Sequence, residues 1–159
     1  MMYIHHMIHK PSAESAPISV QAILEVCLCH HARRTARAIT RIFDEALAPT
    51  GLKANQFTML AAIGAGDGGS TAAIARLLAL DRTTLSRNLK PLRQLGYLTS
   101  GGGAGRRPDT VDLTPTGRQL LNEATPLWQQ AQGALTQRLG TGHSGALLQN
   151  LEATARMLR

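Results

Sequence analysis

The chain has 159 residues, about the length of one domain and enough to bury a modest core. Its 43% apolar, 17% charged and 3% aromatic residues are the composition of a globular protein, and no apolar run approaches the roughly 18 residues of a membrane span. Lys and Arg outnumber Asp and Glu by 17 to 10, and the formal charge of +7 calls for a polyanionic partner, nucleic acid or an anionic surface.

The first stretch, MMYIHHMIHKPSAESAP, has no basic segment followed by an apolar one, so no secretory signal is expected. Its Pro, Ser and Ala residues mark residues 1–17 as a flexible lead-in, where His5, His6 and His9 read as chance composition rather than a metal site. Cys27 and Cys29, one residue apart, are no ordinary structural staple, which favours a cytoplasmic setting.

Ser19 can cap a long helix whose Ile39, Ile42, Phe43, Ala46 and Leu47 recur at helical spacing until Pro49-Thr50-Gly51 stops it. A second helix is expected from Ala54 to Ala65, with Phe57, Leu60, Ala61 and Gly64 on one face, ended by GAGDGGS. Ser70 or Thr71 then caps a short helix, AAIARLLAL, and Asp81 caps another, RTTLSRNLKPLRQL, in which Pro91 is awkward and can kink or shorten the last turn. Two short strands follow, Tyr97 to Thr99 and Thr110 to Leu113, around a glycine-rich tip holding Arg106 and Arg107. Helix resumes at Pro115, with Pro126 a candidate bend, and a last amphipathic helix follows Gly140-Thr141-Gly142. The fold class is therefore mainly α with a small β-hairpin.

The two helices that meet at Leu80-Asp81 read as a helix-turn-helix. In the second of them Leu85, Leu89 and Leu92 form an inward seam, leaving Arg82, Thr83, Thr84, Ser86, Arg87, Asn88 and Lys90 for solvent or a groove. Arg and Asn can bond bidentately to guanine and adenine edges, and a Thr methyl can touch thymine. From Arg76 to Arg107 seven basic residues face a single acid, Asp81. A solvated basic face is the plain alternative. The hairpin with an Arg-Arg tip beside the helix tips the balance, because such a wing places cations in an adjacent minor groove. Winged-helix binding of double-stranded DNA is the outcome.

EVCLCHHARR, Glu25 to Arg34, poses a separate question. On a continuous helix Cys27, His30 and His31, at i, i+3 and i+4, share a face and can hold a soft or borderline metal if a further ligand comes from elsewhere. Cys29 sits about 200° around from Cys27, towards Ala32 and Ala36, so a disulfide between the two is geometrically disfavoured. Helix lining without thiol chemistry, a redox thiol and a metal site all stay open.

LDRTTLSRNLKPLRQLGYLTSGGGAGRRPDTVDLTPTGRQLL resembles the recognition helix and wing of the multiple-antibiotic-resistance regulator (MarR) family, through DRTTLSRNL, L..LGYL, RR...VDLT and T..G..L in order. CLCHHARRTARAITRIFDEALAPTGLKANQFTMLAAI is similar to that family's first two helices, and the likeness covers roughly residues 20 to 140. The resemblance implies an obligate homodimer whose two winged domains read a palindromic operator. It places DNA contact on Thr83, Thr84, Ser86, Arg87 and Asn88, and on Arg106 and Arg107 in the wing. The residue before the arginine pair, acidic in the family, is here Gly105.

Dimerisation has support beyond the resemblance, since the first helix and the two late ones carry apolar stripes that need a partner. The expected division is a dimerisation helix over 18–50, a winged helix-turn-helix over 51–118 and C-terminal dimerisation helices over 119–159. The family commonly places a pocket for a small aromatic or lipophilic effector between these regions. Here the resemblance implies a lining from His30, His31, Arg33 or Arg37, and helix residues near Phe57. The hydroperoxide-sensing branch keeps its reactive cysteine at the position of Cys29, but holds it with tyrosines where this chain has Arg33 and Phe43. The expected function is a repressor released by ligand or by thiol oxidation. A metal-sensing regulator and a non-specific architectural DNA-binding protein are the alternatives. No phosphate cradle after a strand, nucleophile elbow or carboxylate pair suggests an enzyme, and no cofactor is called for.

Overall fold

The computed structural model describes residues 18–66, 69–101 and 109–158, so the N-terminal lead-in and the wing tip with Arg106 and Arg107 lie outside the described residues. Ser19, in extended conformation, accepts a hydrogen bond from the Ala22 amide and starts α1 (Val20–Val26). The helix expected to run unbroken to Leu47 is interrupted at Cys27, whose φ and ψ of −71° and 106° are extended, and α2 (Leu28–Leu47) follows. Cys27 caps both ends of the break. Its amide donates to the Ile23 carbonyl at 3.0 Å, and its Sγ accepts from the His30 amide at 3.4 Å. A continuous helix would pair the Glu25 carbonyl with the Cys29 amide; here His31 Nε2 donates to it at 2.9 Å.

The chain forms two compact units, Met1–Ala38 and Ile39–Arg159, divided within α2. In the first, Ile18, Val20, Ile23, Leu24, Val26 and Leu28 are all exposed.

In the second unit the end of α2 carries half-buried Ile39, Ile42, Phe43 and Ala46 and fully buried Leu47. A 3₁₀ turn over Ala48–Thr50 ends at Gly51, whose φ of +73° reverses the chain. The Asp44 carboxylate accepts from the Ala54 amide at 2.7 Å and Gln56 Oε1 from the Lys53 amide at 2.8 Å, so donors at the start of α3 (Ala54–Ala65) are satisfied by side chains. That helix has the expected bounds and buries Phe57, Met59, Leu60 and Ile63.

Next come α4 (Thr71–Leu77) and α5 (Arg82–Gln94), then β1 (Leu98–Gly101) antiparallel to β2 (Thr110–Leu113), with Leu98 opposite Leu113 and Gly101 opposite Thr110. The first strand starts and ends later than the sequence suggested, with Tyr97 still in the turn. Pro91 neither ends nor shortens α5, since the bond it removes is to the carbonyl of Arg87, an exposed residue. The wing base is tied to the helix-turn-helix by the Thr71 amide, which donates to the Asp109 carbonyl at 3.0 Å, and by a bridge between Ser70 and Thr110.

Thr114 turns the chain from wing to helix. Its hydroxyl accepts from the Gly117 amide at 3.0 Å and donates to the Gly96 carbonyl at 2.7 Å, opening α6 (Pro115–Leu139). That helix runs continuously through Pro126, and α7 (Thr141–Met157) follows. Leu60, Ile63, Leu85, Leu89, Leu92 and Val111 fill the core with Leu47, whereas α7 buries nothing and leaves Leu148, Leu151 and Met157 exposed. No helix among the described residues is long and apolar enough to cross a membrane.

Candidate nucleic-acid interface

Ser70 starts α4 by accepting from the Ala73 amide at 3.2 Å. The turn into α5 passes through Ala79, which has a φ of +52°, and the Leu80 amide reaches back to the Ala75 carbonyl at 2.8 Å. Asp81 then fixes the start of α5 with both oxygens. Oδ1 accepts from the Thr84 amide at 2.8 Å and Oδ2 from the Thr84 hydroxyl at 2.7 Å. The Thr84 amide, then its hydroxyl, favour the charged form and hold the Asp81 carboxyl below its ordinary range.

The expected division of α5 by face is present. Leu85, Leu89 and Leu92 are buried; Arg82, Thr83, Ser86, Arg87 and Lys90 are exposed; Thr84 and Asn88 are half-buried. Arg82, Thr83, Ser86, Arg87 and Lys90 line one surface groove, joined by Arg93 and Gln94. The sequence reading passed over these last two, although Arg82, Ser86, Arg93 and Lys90 recur at spacings of three and four. Arg93 Nε is buried with no hydrogen-bond partner among the described residues. Among the described residues four cations and no acid line the groove, a surface made for phosphate oxygens and for acceptor edges of bases. Thr84 is placed differently from its neighbours, because its hydroxyl proton is already given to Asp81.

Behind the wing, Asp112 of β2 is buried, only 6% exposed, between buried Val111 and Leu113. Its Oδ1 accepts from the Leu113 amide at 2.7 Å and from Arg118 Nη2 at 3.0 Å. Arg118, half-exposed on α6, also lines a cavity of about 510 Å³ with Phe57, Ala61, Gly64, Leu113, Leu121, Asn122, Thr125 and Trp128. Phe57 and Trp128 stack there with ring centroids 5.9 Å apart and planes 20° apart. All of these walls belong to the second unit. Of the expected pocket residues Phe57 is at this cavity; His30, His31, Arg33 and Arg37 belong to the first unit, where His30 is half-buried and the others are exposed.

The break at Cys27 overturns the premise that Cys27, His30 and His31 share the face of one continuous helix. Cys27 is half-buried and Cys29 exposed, both free thiols, and His31 is engaged with the Glu25 carbonyl while its ring meets that of His30 edge-on at 5.3 Å. Among the described residues no three His, Cys, Asp or Glu side chains are gathered closely enough to hold a metal ion.

The transcriptional regulator MosR of M. tuberculosis, solved in complex with DNA, is 34% identical to this chain, with a TM-score of 0.71 over 84% of this chain and 98% of that one. The chain belongs to the MarR family of winged helix-turn-helix transcriptional regulators. A MarR family sequence model matches residues 50–107. The repressor CouR bound to p-coumaroyl-CoA is 28% identical, with a TM-score of 0.75 over 84% of this chain and 95% of that one. CouR bound to a 23-mer DNA duplex is 26% identical, with a TM-score of 0.73 over 88% and 99% of the two chains. Among curated protein sequences none matches significantly. The MarR fold, mainly helical with seven α-helices among the described residues and a two-stranded wing, is thus this chain's fold, and the family's work is DNA-bound regulation rather than catalysis.

Proposed function

We propose that the protein is a homodimeric cytoplasmic repressor that reads a palindromic operator and is released when a small aromatic or lipophilic effector enters the cavity beside Trp128. The observation that carries the reading is the α5 face, where Arg82, Arg87, Lys90 and Arg93 line an acid-free groove on a helix whose start is fixed by Asp81. Arg82, Thr83, Ser86, Arg87, Asn88 and Lys90 enter the major groove, with the Thr84 methyl among them. Arg106 and Arg107 reach the neighbouring minor groove. Residues 18–50 and 119–159 provide dimerisation, supported by exposed Ile23, Leu24, Leu148 and Leu151, and 51–118 the DNA-binding region. Two such domains present recognition helices about 34 Å apart, one duplex turn. CouR, solved with DNA and with p-coumaroyl-CoA, supports the pairing of operator and effector.

Selection of bound duplexes from a random DNA library tests this. The proposal expects enrichment of an inverted repeat bound by two chains, whereas enrichment without a shared sequence would favour an architectural binder.

One observation favours a second trigger. The Cys27 thiol caps α2 at the helix break and Cys29 is exposed beside it. A hydroperoxide would transfer one oxygen to the Cys29 thiolate, giving the sulfenic acid and an alcohol. Peroxide should then weaken DNA binding of the wild type and not of Cys29→Ser, and equal loss in both rules this trigger out.

A further inference from the structure

Arg93 borders two depressions at once. It lines the groove that holds Arg87 and Lys90, and it also lines a separate cleft of about 280 Å³. One wall of that cleft is the face of α5 on which Arg82, Ser86, Leu89 and Arg93 recur at helical spacing. The other wall holds Thr71 of α4 and Asp109, the residue before β2. Asp109 is the one acid of the cleft among the described residues, and Arg93 Nε is buried with no hydrogen-bond partner among them. A buried donor without an acceptor is costly, and a carboxylate is the acceptor best suited to relieve it. Yet among the described residues Arg93 and Asp109 form no ion pair. The Asp109 carboxylate accepts instead from the Thr71 hydroxyl, and the Thr71 amide donates to the Asp109 carbonyl at 3.0 Å.

We propose that the Thr71 hydroxyl is a positioning group for DNA binding: it holds Asp109 away from Arg93 and so keeps that guanidinium charged and free for a backbone phosphate beside α5. The proposal rests on the placing of α5 on DNA given above, and adds to it a phosphate contact and the residue that protects it. The two bonds between Thr71 and Asp109 have different consequences. The backbone bond anchors the base of the wing, whereas the side-chain bond fixes the carboxylate. Without the hydroxyl the carboxylate turns across the cleft to Arg93, which then meets DNA as half of a neutral pair. A phosphate arriving there finds one cation fewer and a like charge beside it.

The experiment measures anisotropy of the selected operator duplex and of its scramble at a series of salt concentrations. Arg93→Gln should weaken both duplexes by about tenfold, the size of one charged hydrogen bond. The slope of log affinity against log salt should flatten by about one per chain. Thr71→Val keeps the backbone bond and removes no charge, yet should produce the same loss and the same flattening. Asp109→Asn alone should bind no more weakly than the wild type. Thr71→Val combined with Asp109→Asn should bind within about twofold of Asp109→Asn alone, as sites without an interaction behave.

A loss in Thr71→Val that Asp109→Asn does not rescue, or that leaves the salt slope unchanged, would mean that the hydroxyl acts through the shape of the wing, and would overturn the proposal. So would Arg93→Gln binding as tightly as the wild type. Arg87→Ala separates these outcomes from failure of the reading beneath. Weaker operator binding in Arg87→Ala with none in Arg93→Gln overturns the proposal alone, whereas unchanged binding in both variants would sink the placing of α5 as well.

Discussion

Gly117 lies so close to Tyr97 that a methyl group on its Cα would sit 2.1 Å from the Tyr97 carbonyl oxygen. The contact is with backbone, which cannot swing aside, and it occurs where the turn leading into β1 meets the first turn of α6. Thr114 caps α6 by accepting from the amide of this same glycine. The spacing of threonine and glycine in TPTG therefore has a steric reason as well as a capping one. Gly117→Ala should lower stability by about 3 kcal/mol, the upper part of the usual overpacking range. Urea denaturation checks this, and a loss under about 0.5 kcal/mol, as for an ordinary surface change, would contradict it.

Ala79 gives the opposite sign. A non-glycine residue at a φ of +52° costs about 1–2 kcal/mol, while glycine loses about 0.5–1 kcal/mol more chain entropy on folding. Ala79→Gly should therefore be neutral to stabilising by about 1 kcal/mol. Thermal unfolding should show an unchanged or higher midpoint, and a clear drop would mean that the Ala79 methyl makes contacts that outweigh the strain.

Asp81 should make the stability of the recognition helix depend on pH. Its native carboxyl lies below the unfolded value because the charged form is held by the Thr84 amide and hydroxyl. A depressed acid contributes stability that is full above the unfolded value and is lost as pH falls through the native one. Asp81→Asn keeps a capping oxygen that does not titrate. The wild type should thus unfold at a higher temperature than Asp81→Asn near neutral pH, with the gap closing in acid. A gap independent of pH would show that the charge plays no part.

The helix break predicts different fates for two substitutions at Cys27. Serine supplies an oxygen in place of Sγ as acceptor for the His30 amide, so Cys27→Ser should keep the cap. Cys27→Ala removes it, at about 1 kcal/mol. Chemical denaturation of both variants separates them, and equal stability would mean that the thiol contributes nothing as a cap.

Much of this organisation is legible in the sequence because it is local. The leucine seam of α5, its aspartate cap and the bounds of α3 follow from spacing and end signals within a dozen residues. The break at Cys27 is not, because VCLCHH holds neither proline nor glycine and its apolar pattern continues through the interruption. Bonds from the Cys27 thiol and the His31 ring satisfy the groups that the break exposes, and these depend on side-chain geometry rather than on spacing. The cavity is hidden for a different reason. Phe57 and Trp128 stack although they lie far apart in the sequence, and Asp112 and Arg118 meet only once strand and helix are docked. Arg93 was within reach of periodicity, and its buried Nε sets it apart from the solvated cations beside it.

The most direct test of the central claim compares wild type with Arg87→Ala on the selected operator and on a scrambled duplex, by anisotropy at one stated salt concentration. The wild type should prefer the operator by orders of magnitude. Arg87→Ala should lose about 1–3 kcal/mol on the operator and little on the scramble, relaxing the preference at one base position. Arg106→Ala and Arg107→Ala should instead weaken both duplexes alike and flatten the salt dependence. Equal losses on both duplexes for Arg87→Ala, or no preference in the wild type, would contradict sequence reading by α5.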